Sequence, residues 1–207
     1  MPDQEQLVEI ITRIVIEELS GQAAENPAKA SPSISAPKGT DPKEVVIGVG
    51  PAFQTQIHHT LNGLDLKDVL GEIRAGIEEE GMNPRAVKVF NSSDVAFIGK
   101  EAARLSGSGI GIGLQSKGTA IIHQRDLYPL SNLELFPQAP LMTLALYRQV
   151  GRNAARYAKG VHVTPVEIMN DPMVRSSYQV KAALMHIRET EQMERNGPTI
   201  PWNGVSL

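Results

Sequence analysis

The sequence contains no cysteine, few aromatic residues and no long apolar run. Without cysteine, the chain cannot form a disulfide, a thiol nucleophile, a zinc–thiolate site or an iron–sulfur cluster. It also lacks the stretch of about 18 apolar residues that a membrane-spanning helix needs, so we expect no membrane span. The acidic N-terminus has neither the basic region nor the uninterrupted apolar region of a secretory signal, which favours a soluble, intracellular protein.

Charge and length restrict the function further. The chain of 207 residues carries 20 Lys+Arg against 23 Asp+Glu, a formal net charge of -3 at pH 7. This near balance gives no general attraction to nucleic acid or to an anionic membrane surface, so we expect neither as a partner. The length suits one domain of ordinary size with an appendage.

Residues 1–20 form an amphipathic segment that precedes the main domain. Apolar residues recur there at steps of three and four, with most charged residues on the other side, and this pattern predicts a short helix. A helix of this length is marginal alone in water, so its apolar stripe needs a partner. Either it folds back onto the chain's own core, or it docks on another protein. The stripe consists of Leu7, Ile10, Ile11, Ile14, Val15 and Leu19.

Residues 21–43 are predicted to be a flexible linker. Four prolines lie there among Ala, Ser, Gly and Lys, and the only large aliphatic side chain is Ile34. Such a composition forms no packed element and behaves as an extended tether. The tether favours an address or docking role for residues 1–20 over a place in the core.

Residues 44–195 are predicted to form an α/β domain with a mostly parallel sheet and helices on both faces. Apolar strand patterns alternate with helical periodicity, which is typical of a doubly wound fold. The tail, 196–207, is predicted to be irregular. We expect strands at 45–49, 86–90, 109–115 and 119–124, and helices from Asp65 to before Gly81 and at about 95–105, 141–158 and 178–193.

Two glycine patterns have both a structural and a functional interpretation. GVGPAF at 48–53 is half of a dinucleotide-binding fingerprint, with Phe53 at the third glycine position; a tight turn at a strand end is the commoner explanation. Residues 107–113 alternate glycine with Ser or Ile. This alternation leaves one strand face bare, so either a helix packs there or a ligand or subunit approaches closely.

Few other residues indicate chemistry. Lys117 is predicted to follow a strand at the edge where open α/β sheets bind ligands, although a solvated turn lysine is the commoner explanation. LSNLELFPQAP, at 130–140, carries apolar residues on an irregular loop, which either buries them against another chain or closes over its own core. The five histidines show no metal-ligand spacing, and no nucleophile elbow is present, so we expect no metal site and no catalytic residue on this chain.

Several of these motifs together resemble a known family. They include EVVIGVGPAF, GIEEEG, NSSDVAFIGKEAARLSGSGIGIGLQSKGTAIIHQ, LSNLELFPQAP and YRQVGRNAARYAK. Across about residues 44–190 the chain closely resembles the medium (beta) subunit of the adenosylcobalamin-dependent diol and glycerol dehydratases.

The resemblance implies a Rossmann-like subunit in a dimer of heterotrimers of large, medium and small subunits. In that family the large subunit holds the substrate and the catalytic side chains, while the medium subunit covers the lower face and nucleotide tail of the cobalamin. The implied reaction converts 1,2-propanediol or glycerol to an aldehyde and water by a radical mechanism, a hydro-lyase activity. Adenosylcobalamin is the implied cofactor, shared with the large subunit.

The resemblance also assigns five residues to cobalamin binding. Asp94 would accept a hydrogen bond from a corrin side-chain amide, and Lys117 would donate to amide carbonyls or to the nucleotide tail. Leu135 and Pro137 would offer backbone carbonyls. Arg175 would donate at the rim of the site.

A similar N-terminal extension directs propanediol-type dehydratases into a bacterial microcompartment. The resemblance therefore implies that residues 1–20 contact shell or cargo proteins of a cytoplasmic microcompartment, and it favours propanediol over glycerol as substrate. Two alternatives stay open: a glycerol-preferring medium subunit, or a non-catalytic interaction or chaperone module related to the small subunit of the dehydratase reactivase.

Overall fold

The computed structural model describes residues 35–203, except for the side chain of Arg175. The predicted helix at 1–20 and most of the predicted linker therefore lie outside the described residues. Along the described part the elements are β1 Glu44–Val49, α1 Leu66–Glu79, β2 Asn83–Val89, α2 Val95–Leu105, β3 Ile110–Leu114, β4 Ala120–Gln124, β5 Glu134–Phe136, a 3-10 helix Ala139–Leu141, α3 Leu144–Ala158, α4 Pro172–Glu191 and β6 Thr199–Pro201.

The six strands form one sheet in the order β5-β4-β3-β1-β2-β6. Strand β1 is parallel to β2 and to β3, whereas β4, β5 and β6 are each antiparallel to their neighbours. The prediction of a mostly parallel sheet is wrong, because a tight turn at 115–119 joins β3 directly to β4. A parallel pair needs a long crossover, usually a helix, and only α1 and α2 supply one.

Helices cover both faces of the sheet, as predicted. In β1 the alternate residues Val45, Ile47 and Val49 join the larger apolar core, together with buried residues of α1 and α3. Val46 points to the opposite face, where a smaller cluster includes residues of α2. Both faces of β1 are therefore buried, which explains its continuous apolar sequence. None of the helices described within 35–203 is long and apolar enough to cross a membrane.

The alternating glycines of β3 allow α2 to lie close to the sheet. A Cβ atom on Gly111 would lie 2.3 Å from the backbone nitrogen of Ala103, and one on Gly113 would lie 2.5 Å from the backbone oxygen of Val95. Any side chain there would separate the helix from the strand. Of the two interpretations of this motif, helix packing is confirmed for Gly111 and Gly113, and α2 leaves no room for a ligand on that face.

Both ends of the predicted domain differ from expectation. The amide of Ala36 donates to the carbonyl of Thr199 at 2.6 Å, and the amide of Gly39 donates to the carbonyl of Leu105 at 2.7 Å. The end of the predicted linker is thus bound to the domain. In the tail, predicted to be irregular, Thr199–Pro201 forms β6 against β2. These contacts join segments far apart in the sequence, so local pattern could not reveal them.

Helices α1 and α3 meet at two glycines. A Cβ atom on Gly76 would lie 2.1 Å from the carbonyl oxygen of Arg148, and one on Gly151 would lie 2.1 Å from that of Ile73. Salt bridges line the same contact: Arg148 bonds Glu72 at 2.7 Å, and further bridges connect Glu79 and Glu80 to α3. The backbones of the two helices touch because glycine has no side chain that would separate them.

We expect Gly76→Ala to lower the free energy of unfolding by about 1–3 kcal/mol, because the new methyl group collides with the α3 backbone. Gly71→Ala is the matched control, since a Cβ atom there meets nothing within 4 Å. That change should raise the free energy of unfolding by up to about 1 kcal/mol, as alanine favours helix. Urea denaturation measures both. Equal stability of the two variants would contradict the close contact.

Candidate functional site

The carboxyl ends of β1 and β3 form the candidate site. The chain crosses from β1 to β2 through α1 on one face, and from β2 to β3 through α2 on the other. The strand order therefore reverses between β1 and β3, the place where open α/β sheets bind ligands. The amide of Gly50, just beyond β1, donates to the carbonyl of Leu114 at the end of β3, at 3.0 Å.

The half-fingerprint GVGPAF forms a turn at this edge. The amide of Phe53 donates to the carbonyl of Gly50 at 3.2 Å, and the next helix begins only at Leu66. A dinucleotide fingerprint instead requires a helix that opens directly behind the glycines. The structure confirms the interpretation as a tight strand-end turn.

The turn that carries Lys117 is held rigidly from two sides. The Tyr147 hydroxyl, buried on α3, donates to the carbonyl of Gly118 at 2.6 Å. The amide of Leu61 donates to the carbonyl of Lys117 at 2.9 Å. Gly118 has a φ of +103°, a conformation that favours glycine. The backbone of Lys117 is therefore fixed at the ligand-binding edge.

Lys117 is half-buried, not a freely solvated turn lysine. Burial lowers the pKa of its ammonium group, and the negative charges of Glu189 and Asp94 oppose that shift. The side chain lines a cavity of about 510 Å³ between this turn, residues 137–140 and the first half of α4. Pro137 lines the same cavity, as do Thr119, Gln138, Ser176 and Gln179, which supply polar groups.

Two of the other three predicted site residues lie close in sequence to residues that line this cavity. Leu135 is on the edge strand β5, two residues before Pro137, and is 41% exposed. Arg175 lies on α4 between Val174 and Ser176, which both line the cavity; its side chain is outside the described part of the chain.

Asp94 lies in a different depression. Its carboxylate caps α2 by accepting a hydrogen bond from the amide of Ala96 at 2.7 Å. It lines a groove of about 750 Å³ together with His186 and Thr190 of α4. The second half of α4 thus borders this groove, while the first half borders the Lys117 cavity.

Part of the segment LSNLELFPQAP closes over the chain's own core, which was one of the two predicted alternatives, and part of it is exposed. Phe136 is buried in the chain's own core, whereas Leu130 is largely exposed. The buried carboxylate of Glu134 accepts hydrogen bonds from the Asn153 side chain at 2.9 Å and from the amide of Val166 at 2.7 Å. These bonds hold β5 at the edge of the sheet, with its outer side unpaired by any strand of residues 35–203.

Sequence reasoning missed Lys88, which is only 2% exposed. Its ammonium donates to the carbonyl of Phe53 at 2.7 Å and lies 4.3 Å from the centre of the Trp202 ring. Burial lowers the pKa of Lys88 to about 8, although the charge of Glu189 opposes this shift. A lysine inside the apolar strand AVKVF was the available signal.

It also missed Glu189, which is 3% exposed on α4. One carboxylate oxygen lies 1.5 Å from where a Cβ atom on Gly50 would be, so the carboxylate sits directly over the end of β1. Burial raises the pKa of Glu189 to about 7, partly offset by Ser116 and by the positive charges of Lys88 and Lys117. In the sequence, RETE near a helix end gives no sign of this burial.

Comparison with known proteins connects this geometry to a protein family. The model of a family described as "Dehydratase medium subunit" matches residues 50–164. A propanediol dehydratase-reactivating factor small subunit of Citrobacter freundii is 37% identical over 100 residues, which cover 45% of this chain and 78% of that protein.

Two solved structures are similar to part of this chain. A glycerol dehydratase reactivase matches with a TM-score of 0.48 at 21% identity, covering 62% of this chain and 97% of its own. A diol dehydratase-reactivating factor, in complex with ADP and Mg2+, matches with a TM-score of 0.44 at 22% identity, covering 63% of this chain and 99% of its own.

Proposed function

Because the chain belongs to the dehydratase medium subunit family, we propose that it is the medium subunit of an adenosylcobalamin-dependent diol dehydratase. The observation that carries this proposal is the cavity at the carboxyl edge of the sheet, where Lys117 and Pro137 meet. The resemblance assigned both residues to cobalamin binding, and they are distant in the sequence. A ligand-binding edge with these two residues supports a cofactor role more directly than the fold alone.

The residues around the cavity are chemically suited to cobalamin. Lys117, Gln138 and Gln179 can donate hydrogen bonds to amide carbonyls or to the nucleotide tail. The carboxylate of Asp94, in its own groove, can accept from a corrin amide, and Leu135 and Pro137, on the edge strand β5 and directly after it, would offer backbone carbonyls. The cavity is open and small, which fits a chain that covers one side of a cofactor held mainly by a partner.

In this proposal the reaction takes place on the large subunit. When bound, adenosylcobalamin supplies the radical chemistry that converts 1,2-propanediol or glycerol to an aldehyde and water. This chain would bind and orient the lower face of the cofactor and contribute no catalytic residue. It would act in a dimer of heterotrimers with the large and small subunits, and we favour propanediol as the physiological substrate.

A second candidate is a chaperone role like that of a reactivase small subunit. The 37% identical relative from Citrobacter freundii favours it, since that protein is named as part of a reactivating factor. In this case the chain would bind a dehydratase partner without holding cobalamin. The two candidates differ in whether catalytic turnover requires this chain.

Co-expression with dehydratase large and small subunits distinguishes them. We expect aldehyde formation from 1,2-propanediol only when this chain and adenosylcobalamin are both present. A complex of large and small subunits that turns over without this chain would refute the medium-subunit role. A complex that contains this chain but binds no cobalamin would favour the chaperone role.

Lys117→Ala and Arg175→Ala should each weaken cobalamin binding by the assembled complex, about 10- to 150-fold in Kd if each loses a charged hydrogen bond. Equilibrium dialysis of cobalamin against the purified complex measures the change. Lys67→Ala, an exposed lysine on α1, is the control and should leave the Kd unchanged. An unaltered Kd for Lys117→Ala would remove that assignment.

Deletion of residues 1–20 tests the proposed address function. We expect the shortened subunit to support full turnover in the purified complex but to be lost from purified microcompartments, because the helix would contact shell or cargo proteins. Cell fractionation, with activity measured in each fraction, gives both results. Loss of turnover in the purified complex would instead show that the segment is structural.

A further inference from the structure

Helix α4 lies across the ligand-binding edge but is weakly bound there. One side of the helix contacts the core through Tyr178, Ala182 and Met185. Its opposite side leaves four large apolar residues more than half exposed: Met173, Val180, Leu184 and Ile187. Residues 161–171 and 193–198, which flank the helix, contain no helix or strand. A helix attached in this way can move as one body.

Few polar contacts hold α4 to the strand ends. The Lys181 ammonium donates to the carbonyl of Leu61 at 2.8 Å, and the hydroxyls of Ser93 and Thr190 lie 3.0 Å apart. Neither of the two is an ion pair. The energetic cost of lifting α4 therefore depends heavily on what happens to Glu189.

The Glu189 carboxylate occupies the crevice between β1 and β3. It lies over Gly50, and hydrogen bonds from the backbone and the fully buried hydroxyl of Ser116 lower its pKa, but by less than burial raises it. A carboxylate removed from water is costly when charged. Here that cost arises at the place where a ligand would bind.

Charged groups face Glu189 from each neighbouring element. Lys88 approaches from β2 and Lys117 from the β3–β4 turn, and both stabilise the ionised carboxylate. On α4 itself, His186 lines the same small space. Asp94, at the start of α2, acts on Lys117. Burial outweighs all of these, so the neutral carboxyl group is the form that the closed position favours.

We propose that α4 is a movable strap, which closes over the carboxyl ends of β1 and β3 when Glu189 is protonated and lifts when Glu189 ionises. Lifting exposes Gly50 and Ser116, which are buried in the closed position, beside the half-buried Lys117. The family match ends at residue 164, before α4. The inference concerns access to this edge and holds whether the chain is a medium subunit or a chaperone.

The burial of Glu189 determines how the opening of α4 depends on pH. In the lifted state Glu189 has its ordinary pKa of 4.5, whereas burial in the closed state raises the pKa to about 7. The closed state is therefore fully stabilised below pH 4.5 and loses that stabilisation as the pH rises through 7. These two values give a rise of roughly eightfold in the opening equilibrium between pH 6.0 and pH 7.5. The pKa of Lys88, about 8, lies above this range, so the charged form of Lys88 predominates throughout it.

Amide hydrogen exchange of the full chain tests the strap. Exchange is measured at pH 6.0 and at pH 7.5 and corrected for the intrinsic exchange rates. The protection of residues 172–191 should be roughly eightfold lower at pH 7.5 than at pH 6.0, while β1 stays protected at both. Glu189→Gln keeps the shape without the charge and should abolish this fall. Glu191→Gln, an exposed glutamate on the same helix, is the matched control and should behave as the unaltered chain.

Two results would overturn the proposal. Equal protection of α4 and β1 at both pH values would mean that the helix opens only when the whole domain unfolds. A pH-dependent fall that persists in Glu189→Gln would mean that another group controls the opening. The first result requires no substitution, so the test stands even if Glu189→Gln fails to fold.

Discussion

Direct contact between backbones sets the spacing of the layers in this domain. Glycine makes this contact possible because it has no side chain. Gly111 and Gly113 allow α2 to lie against β3, and Gly76 and Gly151 allow α1 and α3 to touch. The contact surfaces are fixed because a backbone, unlike a side chain, cannot adopt another rotamer. The position of every strand end, and of the loops that carry the candidate site, follows from this spacing.

The short turn between β3 and β4 has the next largest effect. It reverses the chain at the point where a helix would otherwise have continued a parallel sheet, and it places β4 antiparallel beside β3; β5 then pairs antiparallel with the outer side of β4. The same turn carries Ser116 and Lys117 to the carboxyl edge and is held there by Tyr147. One local feature therefore accounts for both the mixed sheet and the position of the candidate cofactor lysine.

The elements predicted correctly are those with local signals. Asp65 marks the start of α1 because a carboxylate accepts hydrogen bonds from the free amides of a first helical turn, and β1 was evident from its apolar run. Strands β5 and β6 are three residues each and are defined by pairing with distant partners, so no periodicity revealed them. Helix α4 begins six residues before its predicted start, at Pro172 behind the capping Asp171.

The candidate site, like the fold, could be predicted only where the sequence carries a local signal or a family motif. Position at a strand end indicated Lys117, and family resemblance indicated Pro137, but neither could reveal that the two line one cavity. The burial of Glu189 depends on a helix lying over Gly50, far away in the sequence. Such burial is a property of the folded chain alone.

The position of Trp202 gives this domain a built-in optical reporter. It is the only tryptophan in the sequence, buried against Phe53 and 4.3 Å from the Lys88 ammonium. Indole emission is sensitive to nearby charge, and Lys88 is in turn coupled electrostatically to Glu189. Events at the carboxyl edge of the sheet can therefore be followed by intrinsic fluorescence, without a label and from a single, unambiguous source.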